Sequence, residues 1–166
     1  MLSSHEIIGF MSPALATEIL TYAYETDKPL YRATLKAVAE ARKLRPVFFE
    51  RQPRVQRHSQ MLESLAKPAL DLVTGNLIST WLLKKHKTML CDFLDALGIT
   101  HKDGVVENLP ETMEDAKLKA AVEALLAKYP PEVVAVYLQA FNEINEVEWP
   151  NLNTMLENDK RLQLGS

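Results

Sequence analysis

Apolar residues recur at intervals of three and four along most of this chain, and prolines separate the runs. Over 133–144 the spacing is kept by Val133, Val134, Tyr137, Leu138, Phe141 and Ile144; over 118–129, by Leu118, Val122, Leu125, Leu126 and Tyr129. That period places side chains on one face of a helix. Proline suits the first helical turn, where its missing N–H costs nothing. Ser12-Pro13 therefore opens a helix to about Glu25, and Asp27-Lys28-Pro29 opens one that ends at Arg45-Pro46. Pro53 opens another to about Lys67, and Pro68 opens a region reaching Gly98, a good C-terminal cap. Pro110 precedes a helix from about Glu114 to Tyr129, Pro130-Pro131 opens one to about Asn145, and Pro150 opens a short last one. Pro46 reads as a stop, because the residue before a proline resists helix geometry. Within 68–98, Gly75-Asn76 predicts a break or bend. A second break is predicted near His86, where Lys84, Lys85 and Lys87 interrupt the apolar face.

Strand signals are weak: Val47-Phe48-Phe49 and Gly104-Val105-Val106 are each only three residues long. The pattern predicts an all-α single domain over 1–166, a helical bundle of about six to eight helices with short proline-marked connections. Residues 1–11 and 160–166 are expected to fray. Trp81 and Trp149 are the large anchors; Trp149-Pro150 is placed to staple the last helix to the body.

Length and composition agree with one soluble domain: 166 residues, 47% hydrophobic and 25% charged. A single cysteine, Cys91, excludes an internal disulfide and reads as a small buried hydrophobe. No Lys or Arg precedes Lys28 and Glu6 interrupts the first apolar stretch, so no signal peptide is expected. No apolar run is long enough for a membrane helix, and a cytoplasmic location is the expectation.

Charge changes the picture. Six of the seven arginines fall between Arg32 and Arg57. Residues 28–58 carry nine Lys/Arg against two Glu, whereas residues 103–166 carry five Lys/Arg against twelve Asp/Glu. The chain's net charge of −3 conceals this division. On a helical wheel, Lys28, Arg32, Lys36, Arg42 and Lys43 fall in a sector of roughly 120°, opposite Leu30, Ala33, Thr34, Ala37, Val38, Ala41 and Leu44. Arg51, Arg54 and Arg57 extend the basic region, with Phe48 and Phe49 in the link between. Such a surface can meet an acidic protein segment, a second copy of the chain, or phosphates with Phe48 or Phe49 as a stacking ring. A pI near 5.8 weighs against nucleic acid, whose dedicated binders are usually basic throughout.

Motifs that specify a reaction are absent: there is no Gly-rich phosphate loop and no Gly-x-Ser-x-Gly. Arg51 and His58 resemble the Arg-x(4–6)-His pattern of HEPN-type ribonucleases, which are also small all-helical proteins. The resemblance covers those two residues and the fold class. It implies that the pair acts on the scissile phosphate of RNA. The wheel points elsewhere, since His58 falls among Val55, Met61, Leu62 and Leu65, as a core histidine would. His101, Asp103 and Glu107 share the 99–112 loop without a converging partner, and no metal site or cofactor is expected. The leading expectation is a non-enzymatic interaction module. It would bind a protein partner or itself through Lys28, Arg32, Lys36, Lys43, Arg51, Arg54 and Arg57 with Phe48 and Phe49. The alternative is a nucleic-acid-binding or HEPN-like RNA-processing protein using the same surface.

Overall fold

The computed structural model describes residues 2–165; Met1 and Ser166, the outermost of the residues expected to fray, lie outside them. Among the described residues there are ten α-helices and no strand. The backbone forms two compact units, residues 2–81 and residues 82–164, and helix α6 begins in the first and ends in the second. No helix among the described residues is long and apolar enough to cross a membrane.

The first unit holds α1 (Ser4–Phe10), α2 (Pro13–Thr26), α3 (Lys28–Ala41), α4 (Pro46–Glu50), α5 (Arg54–Leu65) and most of α6 (Asp71–Lys85). The sequence predicts fraying over 1–11, but a helix stands there instead. Its Glu6 carboxylate accepts hydrogen bonds from the Ser3 backbone N–H at 3.3 Å and the Ser3 hydroxyl at 2.6 Å. Ile7 and Ile8 are buried. Asp71 at the start of α6 accepts from the His5 backbone N–H at 2.9 Å, which ties the two helix starts together. The Ser12 and Asp27 side chains cap α2 and α3 by accepting from Leu15 N and Leu30 N, each at 3.2 Å.

Gly75 does not break α6, which runs through it. A Cβ at Gly75 would stand 3.0 Å from Ser4 Oγ, so the glycine permits close approach of α1 and not a bend. Pro46 is not a stop but the first residue of α4, because proline fits a helix start as readily as it ends one. The first core contains Ile19, Leu20, Val38, Phe49, Met61 and Leu65, all essentially inaccessible.

The second unit holds the end of α6, then α7 (Lys87–Ala96), α8 (Asp115–Lys128), α9 (Pro131–Asn145) and α10 (Pro150–Asn158). The break predicted near His86 is real: His86 separates α6 from α7. Gly98, at φ 69°, ends α7 in the left-handed conformation that glycine adopts without strain. Val133–Asn142 of α9 is buried continuously. Around it the rings of Phe93, Tyr137, Phe141 and Trp149 meet edge-on or tilted at centroid distances of 5.0–5.8 Å. The Trp149 indole donates to Pro110 O at 2.9 Å, the staple expected of it. The C-terminal residues expected to fray include a 3₁₀ turn, Lys160–Leu162, in which Leu162 is fully buried and its carbonyl accepts from Gln139 Nε2 at 3.2 Å.

Candidate functional site

The cationic helix α3 is built as its pattern demands. Tyr31, Thr34, Leu35, Val38 and Ala39 face inward, while Lys28, Arg32 and Lys36, four residues apart, are exposed on one side. The helix ends at Ala41, short of the predicted Arg45, and this removes two residues from its cationic face. Arg42 turns inward: its Nε donates to Ser64 Oγ at 2.7 Å and its Nη2 to the Gln60 carbonyl at 2.9 Å. Lys43 lies beyond the helix at φ 57°, in the left-handed turn that returns Leu44 N to Ala39 O.

The three exposed cations of α3 wall a cleft of about 380 Å³. Tyr24 of α2, Pro46 and Glu50 of α4, and Arg57 of α5 complete it, with Tyr31 and Leu35 behind. Arg57 is only 9% exposed. A buried arginine is ordinarily paired with a carboxylate. This one is not: Nη1 donates to the Glu50 carbonyl at 3.3 Å, and Nε is buried without a hydrogen-bond partner. Its guanidinium stands over two rings instead, 5.7 Å from the Tyr24 centroid and 5.9 Å from that of Tyr31. Lys28 Nζ and the Arg54 guanidinium approach the same Tyr24 ring at 4.9 and 5.2 Å. Three cations thus crowd one phenol. The side chains of Arg32, Lys36, Lys43, Arg45 and Arg51 make no hydrogen bond or ion pair among the described residues.

Behind Arg57, His58 is 2% exposed, as its place on the apolar face predicts. Its partner is a side chain: Nε2 shares a hydrogen bond with the Tyr31 hydroxyl at 2.9 Å, and that hydroxyl also reaches Met61 Sδ at 3.8 Å. Burial, with help from the charges of Arg57 and then Arg54, pushes the imidazole down to about 4. His58 is therefore neutral near pH 7, with one ring nitrogen a donor and the other an acceptor. Burial raises the Tyr31 phenol, opposed by the neighbouring Arg57.

Of the residues singled out from the sequence, Lys28, Arg32, Lys36 and Arg57 come together in the cleft, and Arg54 stands at its tyrosine. Arg51 and His58 do not form a unit: Arg51 is exposed at the end of α4, and the ring and hydrogen-bond partners of His58 are Tyr24 and Tyr31. Phe49 is fully enclosed and offers no stacking face, whereas Phe48 is 49% exposed. In the second unit, His101 pairs with Asp95 at 2.7 Å and accepts from Gly104 N; it lines a cleft of about 280 Å³ together with Glu107, whereas Asp103 is not among the residues of that cleft. Asp103 faces Lys87 at 3.9 Å. Burial, with Asp95 and Asp103 nearby, raises the Cys91 thiol, which disfavours the reactive thiolate. Tyr24 and Tyr31 belong to the site without standing out in the sequence. The signal was present: Tyr24, Lys28 and Tyr31 follow at four and three, but Asp27 interrupts the helix between them and Tyr31 also fits the core stripe with Leu35 and Val38.

No protein-family model matches the chain, and no curated protein or solved structure matches it.

Proposed function

We propose that the chain is a binding module that docks an acidic protein segment through the cationic surface of residues 28–58, centred on the cleft of Lys28, Arg32, Lys36 and Arg57. One observation carries this reading: a buried arginine without a carboxylate opens into a cleft walled by three further cations. An anion supplied from outside would satisfy it. Exposed cations on the surrounding surface would steer an acidic partner inward and fix its register. A second copy of the chain also qualifies as partner, since residues 103–166 are strongly acidic.

Two features favour a protein segment over nucleic acid. The enclosed Phe49 and the cation-covered Tyr24 leave Phe48 as the exposed ring of the three. The net negative charge of the whole chain opposes tracking along a polyphosphate. The half-exposed Phe48 beside Arg45 and Arg51 is what supports the nucleic-acid alternative.

The test is charge reversal. Arg32→Glu with Lys36→Glu should abolish retention on an immobilised glutamate-rich peptide while leaving helical circular dichroism unchanged. Retention equal to that of the wild type would contradict the reading. Stronger retention on single-stranded RNA than on the peptide would transfer the surface to the nucleic-acid reading. Sedimentation velocity over a concentration series shows whether the partner is a second copy.

A further inference from the structure

The cations of the cleft outnumber its acids in a way that a carboxylate does not balance. Lys28, Arg32, Lys36 and Arg57 face a single wall carboxylate, Glu50, which makes no ion pair among the described residues. One bound carboxylate would leave a clear excess of positive charge. A phosphate monoester carries about −1.5 to −2 near pH 7 and presents three strong acceptor oxygens. It can accept from an arginine fork and from lysines at the same time.

The donors are also held in place. Arg57 is fixed against the Tyr24 and Tyr31 rings and by the Glu50 carbonyl, so its orientation is set before any ligand arrives. The cavity, at about 380 Å³, gives more room than one phosphate group needs. Leu35 and Pro46 supply apolar wall for the remainder of a ligand.

Building on the reading of this surface as an anion-docking site, we infer that the cleft binds a phosphate monoester with a compact organic body. The phosphate would sit at Arg57 and Arg32 and the body against Leu35 and Pro46. The same chemistry is offered by a free small-molecule phosphate and by a phosphorylated side chain of a docking partner.

Titration calorimetry on the full chain distinguishes these sources. The probes are phenyl phosphate, sulfate, a phosphotyrosine peptide, its unphosphorylated form and a glutamate-rich peptide. Phenyl phosphate should bind more tightly than sulfate, and Arg32→Gln, an exposed change that leaves the fold intact, should weaken it by about tenfold or more. Arg57→Met should also remove the rise in melting temperature that phenyl phosphate gives the wild type. A phosphotyrosine peptide that binds more tightly than phenyl phosphate identifies a partner's side chain as the source. Equal affinities identify a free small molecule. Binding of sulfate as tight as that of phenyl phosphate, or affinities unchanged by Arg32→Gln, would overturn the inference. Binding of the glutamate-rich peptide without phenyl phosphate would overturn it and leave the docking reading standing. Binding of phenyl phosphate without any peptide would do the reverse.

Discussion

Replacing His58 by glutamine should flatten the acid limb of the protein's stability. His58 packs against the Tyr24 and Tyr31 rings, shares a hydrogen bond with the Tyr31 hydroxyl at 2.9 Å, and stands near Arg57 and Arg54. Burial and those two cations hold it near 4 in the fold, against 6.5 for the free side chain. A group depressed in the fold binds its proton more readily in the unfolded chain. Its contribution is therefore complete above about pH 6.5 and is lost as pH falls toward about 4. Between about pH 7 and pH 5 the loss amounts to about 2 kcal/mol. Carboxylates contribute little in that window because their unfolded values lie below it. Glutamine offers Tyr31 both a donor and an acceptor and cannot titrate. Urea unfolding at the two pH values, followed by far-ultraviolet circular dichroism, should show the wild type losing about 2 kcal/mol more than His58→Gln. Parallel losses in the two proteins would refute the burial of a neutral imidazole.

Other consequences follow from single positions. Glu146 holds the left-handed conformation at φ 52° that ends α9, so Glu146→Gly should stabilise the chain by about 0.5–1 kcal/mol, read as a raised melting temperature; a lowered one would show that the strain is absent. Leu162 is fully buried in the C-terminal turn, so Leu162→Ala should cost about 2–5 kcal/mol in urea unfolding, whereas a frayed terminus would give almost none. Gly98→Ala, at φ 69°, should cost about 1 kcal/mol, and a neutral result would mean that α7 ends differently.

Local signals made most of the helices legible. Ser12-Pro13 and Asp27-Lys28-Pro29 mark the starts of α2 and α3, and Gly98 marks the end of α7, because capping and proline chemistry act within a few residues. The misses needed distant partners. Helix α1 is short and is held by Asp71, far along the chain; Gly75 keeps its helix because Ser4 packs on it. Lys43 left the predicted face because α3 closes with a left-handed residue that is not glycine, a choice that propensity does not forecast. The basic character of 28–58 was visible in composition. Its division into a structural Arg42, a buried Arg57 and an exposed Lys28–Arg32–Lys36 row depends on how α2, α4 and α5 pack against α3.

The docking claim is tested most directly by fluorescence anisotropy of a labelled glutamate-rich peptide against the wild-type chain, at low and at physiological salt, with unlabelled single-stranded RNA as competitor. The account predicts saturable binding that weakens as salt rises and that RNA displaces poorly. No binding at low salt, or complete displacement by substoichiometric RNA, would contradict it.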